Sequence, residues 1–364
     1  MRIGIDASGT FGWRGPSRNI KNLIRQLIRI GGDNHYFLFV PKEPTYELEE
    51  KPNFTWVVVK KYKFLPWLNV SLPLSAIRHK PDVMVFPQAN FWLWKPTKTI
   101  VMTRFATIAP FDDGTLEKMN VFLRKLLFKK VADKVGAVSQ FNSTQIQITC
   151  GIAEETISVI YNGVDPIFLD NNIPDFNDYG KYILYVGGTE KRKNIPRLLK
   201  AYEILASKGV DEKLVLVGGS FTPSNADPEM ETFINNHEEL SERIVLHGIE
   251  MDSIKLASLY RGAKLVVYPS FQEDFGLVSV EAMASGTPLV ASRMPSIPEI
   301  AGDAAEYFDP FDVEEMADKI EKVLKDEGLR KELTRRGKER VKKYNWEVSA
   351  RKLISLIEEV AGEK

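Results

Sequence analysis

The sequence has few of the residues on which several common chemistries depend. Its 364 residues include one cysteine, Cys150, and four histidines. A single cysteine excludes an intrachain disulfide and favours a reducing compartment, which predicts the cytoplasm. The histidines and the cysteine show no zinc-ligand spacing. No G-x-x-x-x-G-K-[ST] loop and no G-x-S-x-G nucleophile elbow is present, so the sequence predicts none of these three sites.

Long apolar runs and an excess of charge are also missing. No apolar segment approaches the ~20 residues that cross a bilayer. We interpret the first ten residues, MRIGIDASGT, as a strand and not as a signal peptide. Basic and acidic residues number 49 each, and this balance argues against nucleic acid as a partner. Residues 1–165 nevertheless carry 22 basic and 14 acidic side chains, whereas the rest of the chain carries 27 and 35.

Short apolar, β-branched runs alternate with amphipathic helical segments along the chain, as in a parallel sheet that is covered on both faces. Seven such runs precede the Asn-, Asp-, Gly- and Pro-rich segment Asn162–Gly180 and five follow it, so this segment is predicted to be a linker. We predict an α/β protein with two doubly wound, Rossmann-like domains, residues 1–165 and 166–345, facing each other across a cleft. A final helix is predicted at residues 346–364.

A pair of glutamates surrounds a glycine after the predicted strand KLVVYPS. The next residues, EDFGLVSVE, place Glu273 and Glu281 on either side of Gly276. Gly276 lies near the predicted start of a helix, where free backbone N–H groups and the helix dipole favour a phosphate. Glu281, one turn into the helix, suits ribose hydroxyls, and Glu273 in the loop can reach the far side of a diphosphate. The alternative is an exposed loop charge and a solvated helix face.

A basic loop follows the predicted strand YILYVGG. Its sequence TEKRKN brings Lys191, Arg192 and Lys193 to the carboxyl end of that strand. Arg192 and Lys193 can neutralise a leaving diphosphate through charge-assisted hydrogen bonds, a role that a metal ion has in other enzymes. A solvated turn is the alternative interpretation of this triplet.

A glycine-bearing loop also follows the first predicted strand. Gly9, Gly12 and Gly15 do not fit G-x-G-x-x-G, and no acid closes the second strand, so a nicotinamide dinucleotide is disfavoured. Gly15 lets this loop approach a ligand, although a turn without a ligand explains the glycines equally well. His247 ends a later strand next to Gly248, and we interpret it as structural.

Together these loops resemble those of a known family. EDFGLVSVEAMASGTPLVAS is similar to the signature of the retaining glycosyltransferases of family 4, in which E-x-F-G-L opens a Glu-x7-Glu element. YVGGTEKRKNIPRLLKAY resembles the phosphate-binding loop of that family, VIYNGVDPIF its interdomain crossing and NWEVSARKLISLIEEV its closing helix. The similarity covers most of the chain in the expected order and spacing.

The resemblance implies a GT-B fold and roles for individual residues. The first domain would bind a glycan or lipid-linked acceptor and the second a nucleotide-sugar, with the closing helix packed toward the first domain. Glu273 would contact the transferred sugar and Glu281 the ribose. Arg192 and Lys193 would hold the diphosphate. The other donor-binding positions that the resemblance implies are Gly15, Gly188, Ile249 (beside the base), Phe275, Gly276 and Leu277.

The resemblance also implies the chemistry. Such enzymes transfer a hexose with retention of configuration, by front-face attack in which the leaving phosphate takes the acceptor proton, and they need neither a metal nor a cofactor. GDP-mannose is the favoured donor because GGTEKRKN is similar to the loop of bacterial and archaeal mannosyltransferases. Glucose or an N-acetylhexosamine from UDP stays open. Polysaccharide biosynthesis is the expected context.

One segment departs from the family pattern. Many members have a His-Asp pair after the fifth strand of the first domain, where this chain has VMTRFATIAPFDD, with Phe105 and Ala106 at the corresponding positions. In the family, that histidine helps to position the sugar. Either Arg104 or another group replaces it or the alignment shifts here, which leaves the acceptor side open.

Lysine alternates with aromatic and apolar residues in three stretches of the first domain, Lys60–Lys80, Phe91–Lys98 and Arg124–Lys134. This pattern is typical of surfaces at a membrane interface. We hypothesise a peripheral contact with anionic lipid at the inner face of the cell membrane, which would suit a lipid-linked acceptor. Core aromatics with solvated lysines are the alternative.

Two further functions stay open. A nucleotide-sugar epimerase of the UDP-N-acetylglucosamine 2-epimerase type shares the two-domain plan, but it needs additional acid–base carboxylates and a histidine that the sequence does not identify. The other is a catalytically silent, nucleotide-sugar-binding subunit of a glycan-assembly complex. Donor hydrolysis or transfer by the isolated protein would exclude the silent subunit.

Overall fold

The computed structural model describes residues 1–11, 15–44, 52–59, 67–88, 92, 94–103, 128–218 and 228–362. The chain divides into two compact units, of which the first is Met1–Gly163 with the segment from Tyr344 onward and the second is Val164–Lys343. Each unit has one parallel sheet. The predicted α/β class with two doubly wound sheets is therefore confirmed.

The first unit has a seven-stranded sheet in the order β3-β2-β1-β4-β5-β6-β7. Its strands are β1 (Arg2–Asp6), β2 (His35–Val40), β3 (Phe54–Val58), β4 (Val83–Phe86), β5 (Lys98–Thr103), β6 (Lys134–Ala137) and β7 (Ile157–Val159). Its helices within the described residues begin with α1 (Gly15–Ile30), α2 (Leu72–His79) and α3 (Gln140–Cys150). Apolar residues of the central strands, such as Ile3 and Val85, are fully buried because both faces of the sheet are covered.

The second unit has a six-stranded sheet in the order β10-β9-β8-β11-β12-β13. Its strands are β8 (Tyr182–Val186), β9 (Lys213–Val217), β10 (Ile244–Gly248), β11 (Leu265–Tyr268), β12 (Leu289–Ser292) and β13 (Ala305–Phe308). Its helices are α4 (Ile195–Ser207), α5 (Pro228–Asn236), α6 (Glu238–Ser241), α7 (Ser253–Gly262), α8 (Leu277–Ser285), α9 (Ser296–Ala301), α10 (Val313–Lys325) and α11 (Glu327–Arg340). The strand order reverses between β8 and β11, and ligands of such sheets bind at the carboxyl ends of the strands at this switch point.

The last helix, α12 (Trp346–Gly362), belongs to the first unit and packs against α1. Its buried face includes Trp346 and Leu353, which join the core formed by α1 and the central strands. Ser349 Oγ donates a hydrogen bond of 2.6 Å to the carbonyl of Tyr161. Gly163 leaves room for this helix, because a Cβ there would lie 2.5 Å from the Trp346 ring.

Short turns complete the described elements. They are 3-10 turns at Ser8–Phe11, Glu154–Thr156, Pro166–Leu169, Lys191–Lys193 and Val341–Lys343, and a π turn at Trp67–Ser71. None of the helices in the described ranges combines the length and the apolar character that a bilayer crossing requires.

Candidate active site

Two loops meet at the switch point of the second sheet. One follows β8 and carries Arg192 and Lys193, and the other follows β11, the strand beside β8. The amide of Phe271 donates a hydrogen bond of 2.8 Å to the carbonyl of Arg192. Because neighbouring parallel strands end at the same edge of the sheet, two segments that are 80 residues apart along the chain become one surface.

Asn194 holds these two loops in register. Its side-chain Nδ2 donates hydrogen bonds to the carbonyls of Pro269, at 3.1 Å, and of Pro310, at 2.8 Å. The residue is buried and has a φ of 60°, in the left-handed region. Asparagine tolerates this conformation better than most residues, and it allows the chain to turn from the basic loop into α4.

A buried cluster of three charges forms where the loops meet. Lys193 Nζ lies 2.5 Å from Oε1 of Glu273, and Arg192 Nη1 lies 3.1 Å from the same oxygen. The side chains of Glu273 and Lys193 are 12% and 10% exposed, whereas that of Arg192 is 35% exposed. Arg192 is therefore the member of the cluster that solvent and ligands reach most easily.

The two cations keep Glu273 ionised. Burial alone would raise the pKa of this carboxyl, but the charges of Lys193 and Arg192 outweigh burial and lower it. Burial alone would lower the pKa of Arg192, but Glu273 and further acidic groups together outweigh burial and raise it. These further groups are Glu190, Tyr268 and Asp274. Glu273 is thus ionised at neutral pH, and the formal charges of the three side chains sum to one net positive charge.

Two buried tyrosines lie beside the charge cluster. The Lys193 ammonium is 5.6 Å from the centroid of the Tyr268 ring, and Tyr185 donates a hydrogen bond of 2.7 Å to the carbonyl of Gly188. Burial and the negative charge of Glu273 raise the pKa of both hydroxyls well above the ordinary value. The tyrosines therefore stay neutral, and Tyr185 fixes the start of the basic loop.

Helix α8 begins beside this cluster. Gly276 precedes it with a φ of 91°, a left-handed conformation that favours glycine. Leu277 is the first residue of the helix, and the first turn of a helix presents N–H groups to an anion; one of them, the amide of Ser279, donates a hydrogen bond of 3.0 Å to the carbonyl of Gly276. The buried hydroxyls of Ser279 and Ser296 have no hydrogen-bond partner in the described part of the chain. The sequence prediction of a helix start next to Gly276 is confirmed by these bounds.

Glu281 is buried in α8. Its Oε2 accepts a hydrogen bond of 2.8 Å from the hydroxyl of Tyr260 in α7. The sequence predicts ribose hydroxyls as partners of this glutamate, and it does not identify Tyr260. No periodic signal distinguishes that tyrosine from an ordinary core residue, because Tyr260 is fully buried among apolar neighbours of its own helix.

The remaining residues of the predicted donor site lie in different elements of the structure. Gly188 and the buried Phe275 belong to the two loops at the switch point. Ile249 lies at the end of the edge strand β10 with 44% of its side chain exposed. Gly15 is the first residue of α1 in the first unit. Arg104, Phe105 and Ala106 lie outside the described residues, as do Gly12 and residues 60–66 of the stretch Lys60–Lys80.

Within the ranges that the structure describes, no three His, Cys, Asp or Glu side chains form a group that could hold a metal ion. The carboxylate of Glu273 is already paired with two cations.

Comparison with known families accounts for both units. The model described as Glycosyltransferase Family 4 matches residues 13–168, and the model described as Glycosyl transferases group 1 matches residues 169–340. The chain has the two domains of a glycosyltransferase. The Arg192–Lys193–Glu273 cluster and α8 lie in the group 1 domain, and Gly15 lies in the family 4 domain.

Individual glycosyltransferases are similar over different lengths. The O-antigen chain mannosyltransferase B of Escherichia coli is 36% identical over 166 residues, which are 46% of this chain and 42% of that protein. The chain spans about half the length of the curated relatives that it matches.

Two solved structures match almost the whole chain. The sucrose-phosphate synthase of Thermosynechococcus elongatus has a TM-score of 0.74 at 19% identity, and the alignment covers 99% of this chain and 98% of that one. The Anabaena protein HepE in complex with UDP and glucose has a TM-score of 0.74 at 16% identity, covering 98% and 99%. At these identities the likeness shows the fold alone, and it confirms the predicted GT-B fold.

Proposed function

We propose that the protein is a retaining glycosyltransferase that moves a hexose from a nucleoside diphosphate sugar to a hydroxyl of a glycan or lipid-linked acceptor, without a metal ion. The observation that carries this proposal is the buried cluster of Arg192, Lys193 and Glu273 beside the first turn of α8. It combines two cations, one carboxylate acceptor and a helix N-terminus at the switch point of a Rossmann-like sheet.

The donor diphosphate binds where α8 begins. Its oxygens accept hydrogen bonds from the first backbone N–H groups of the helix, at Leu277, and from the partly exposed guanidinium of Arg192. The unpartnered hydroxyls of Ser279 and Ser296 support a ligand rich in acceptor oxygens, since buried polar groups normally have a hydrogen-bond partner. The net positive charge of the cluster stabilises the leaving diphosphate, the role that a metal ion has elsewhere.

Glu273 binds the transferred sugar. An ionised carboxylate accepts hydrogen bonds from sugar hydroxyls, and Lys193 keeps it ionised in spite of burial. In the front-face reaction the bond from the anomeric carbon to the diphosphate oxygen breaks, and the acceptor oxygen bonds to the same face. The acceptor proton passes to the leaving phosphate, so that no protein base is needed.

Glu281 binds the ribose of the donor. The hydroxyl of Tyr260 occupies one carboxylate oxygen and orients the group. An ionised carboxylate can accept up to about four hydrogen bonds, so ribose hydroxyls can bind in addition to Tyr260.

Mannose is the favoured sugar. The similarity to an O-antigen chain mannosyltransferase supports it, as do further relatives that carry the same activity in their names. GDP-mannose is then the first donor to test. A UDP-linked glucose or N-acetylhexosamine is the second.

A lipid-linked acceptor would bring the enzyme to the inner face of the cell membrane. Leu74, Ile77 and Trp94 are exposed in the family 4 domain, and the exposed cations Arg78 and Lys80 lie near them in the chain. Apolar and basic residues that share a surface are typical of a peripheral contact with anionic lipid. Cosedimentation with phosphatidylglycerol vesicles at low salt, and none with phosphatidylcholine vesicles, is expected.

A thermal-shift panel tests the donor assignment. Nucleoside diphosphates and their sugars are added to the isolated protein, and the matching donor raises the unfolding temperature because it binds only the folded state. Release of the nucleoside diphosphate from that donor then excludes a silent subunit. Equal activity with and without EDTA is expected if no metal ion is needed. An NMR spectrum in which the product keeps the anomeric configuration of the donor is expected if the enzyme is retaining. A panel in which no nucleotide stabilises the protein would contradict the proposal.

A further inference from the structure

Three polar side chains form a hydrogen-bonded chain at the carboxyl end of β10. The hydroxyl of Tyr179 lies 2.7 Å from Nδ1 of His247, and Nε2 of His247 lies 3.1 Å from Oε2 of Glu250. A neutral histidine with its proton on Nε2 satisfies both contacts, because Tyr179 then donates to Nδ1 and Nε2 donates to the carboxylate. We refer to Tyr179, His247 and Glu250 as the relay.

The relay is anchored on both sides. The other carboxylate oxygen of Glu250 accepts a hydrogen bond of 2.9 Å from the amide of Asp252, and Lys255 Nζ lies 3.4 Å from Oε2. These partners and His247 lower the pKa of Glu250 although burial opposes them. The side chains of His247 and Glu250 are 7% and 10% exposed. The relay thus ties the linker residue Tyr179 to the loop Gly248–Asp252, which leads into α7.

Three glycines lie at neighbouring strand ends next to this loop, and we refer to them as the floor. Gly187, Gly218 and Gly248 follow or end the neighbouring strands β8, β9 and β10. Backbone hydrogen bonds connect them, from Gly187 to Val217 at 2.9 Å and from Gly218 to Gly248 at 2.6 Å. A Cβ on Gly248 would meet nothing within 4 Å. A ligand can therefore approach the backbone at Gly248, whereas a Cβ on Gly187 would lie 2.5 Å from the hydroxyl of Tyr185 and one on Gly218 would lie even closer to the carbonyl of Gly187.

The nucleoside of the donor extends over this floor if the proposed function holds. Its diphosphate occupies the switch point, with β8, β9 and β10 on one side of that point. The proposed ribose ligand Glu281 contacts Tyr260 of α7, the helix that begins directly after the relay loop. A ribose at Glu281 therefore lies on the side of the sheet that carries α7. The base beyond it meets Ile249, whose side chain is exposed.

We infer that Tyr179, His247 and Glu250 are positioning residues that fix the loop Gly248–Asp252, so that this loop selects the nucleobase of the donor. The inference rests on the proposed function. None of the three side chains needs to touch the reacting atoms. They act on the donor through Ile249 and the backbone of the loop. They therefore affect the binding of the base and not the binding of the diphosphate.

The test compares the affinities of the full-length protein for different nucleotides. Isothermal titration measures the Kd of GDP, UDP, ADP and inorganic pyrophosphate for the wild type and for Tyr179→Phe, His247→Ala and His247→Gln. Tyr307→Phe is the matched control, because the Tyr307 hydroxyl also donates one hydrogen bond, to the carbonyl of Gly302, in the same unit.

We expect the Kd of the preferred nucleoside diphosphate to rise about tenfold in Tyr179→Phe and His247→Ala, the effect of one or two lost hydrogen bonds. The Kd of pyrophosphate should change less than about twofold, so the preference among bases falls. His247→Gln should recover part of the preference, because its amide can still donate to Glu250. With the sugar donor, KM should rise and kcat should stay the same, as for an interaction that is equal in the ground and transition states.

Three outcomes overturn the inference, and they are distinguishable. If the wild type prefers one base and the relay variants keep that preference, the inference is wrong and the proposed function survives. If the wild type binds no nucleoside diphosphate more tightly than pyrophosphate, the donor assignment in the proposed function fails and the inference fails with it. A loss of affinity for pyrophosphate that equals the loss for the nucleotide would also overturn the inference, because it would indicate a general loss of structure.

Discussion

Lys193 Nζ lies 2.5 Å from the carboxylate of Glu273, and both side chains are almost fully buried. Two opposite charges that leave water together are costly to desolvate, and removing one partner is costlier still because an unpaired charge stays behind. The pair is therefore sensitive to mutation even before a substrate binds. It also makes the charge state of a proposed catalytic carboxylate depend on Lys193 in addition to Arg192.

Lys193→Met should destabilise the protein most at neutral pH. We expect the free energy of unfolding at pH 7 to fall by about 3–5 kcal/mol, the usual effect of breaking a buried pair. In the wild type the lowered pKa of Glu273 contributes stability that is present above the ordinary value of 4.5 and is lost as the pH falls through the lowered pKa. Without Lys193 the effect of burial is less opposed, and the pKa of Glu273 rises. Acidification then neutralises the buried carboxylate, so the variant loses less stability relative to the wild type at low pH. Urea unfolding should show a smaller difference in the free energy of unfolding between the variant and the wild type at pH 4.5 than at pH 7.

Lys208→Met is the control for this prediction. Lys208 pairs with Asp318 and Glu321 at the surface of the same unit. We expect a much smaller loss of stability than in Lys193→Met, because exposed pairs contribute little. An equal loss of stability for Lys193→Met at both pH values would contradict the assignment of the pair.

Glu273→Gln and Glu281→Gln should separate turnover from nucleotide affinity. Glu273→Gln should lower kcat about 10²–10³-fold, as for the loss of an electrostatic group at the reacting centre, with the Kd of the nucleoside diphosphate within about threefold of the wild type. Glu281→Gln should raise that Kd about tenfold, because a charged acceptor of ribose hydrogen bonds becomes neutral. Transfer rates and isothermal titration measure the two effects. Unchanged transfer by Glu273→Gln would refute its proposed role.

The sequence predicts the order of the elements better than their ends. All twelve predicted strands correspond to strands of the structure, because each is a short apolar run between turn residues. The predicted runs extend up to three residues past the observed ends, for example at β7, which ends at Val159 and not at Asn162. Strand β13 was not predicted, because its four residues AEYF form a short edge strand with two half-buried side chains.

The sequence locates the site but not its internal contacts. The rule that ligands bind at the carboxyl ends of parallel strands leads to both loops. The ion pair could not be predicted, because Arg192 and Lys193 are 81 and 80 residues away from Glu273 and the loops come together through tertiary hydrogen bonds such as those of Asn194 and Phe271. The relay is a similar case, because His247 had been interpreted as structural on its position alone.

Gly276→Ala should separate backbone strain from phosphate binding. The φ of 91° costs alanine about 1–2 kcal/mol. The added Cβ would meet Tyr268 and Ser279 at ordinary distances of 3.5 and 3.6 Å, so the protein should still fold. We expect the Kd of pyrophosphate to rise about tenfold, because the methyl group occupies space at the start of α8.

Gly209→Ala is the matched control for strain. Gly209 has a φ of 79° and no atoms within 4 Å of a Cβ, and it follows α4 away from the switch point. It should lose about the same stability, roughly 1–2 kcal/mol in thermal unfolding, with an unchanged Kd for pyrophosphate. A weaker binding of pyrophosphate in this control would show that strain alone explains the effect at Gly276.

We expect the geometry of the site to depend on Asn194 more than on any other residue. In Asn194→Ala the two hydrogen bonds to Pro269 and Pro310 are lost, at about 1 kcal/mol each, and the left-handed conformation costs about 1 kcal/mol more. Asn194→Gly loses the same hydrogen bonds but accepts a φ of 60° without that cost, so the two variants should differ by about 1 kcal/mol in urea unfolding. Both should lower kcat by a similar factor, since the hydrogen bonds and not the conformation keep Lys193 next to Glu273. If Asn194→Gly transferred sugar like the wild type, the two loops would be held together by other contacts, such as the one between Phe271 and Arg192.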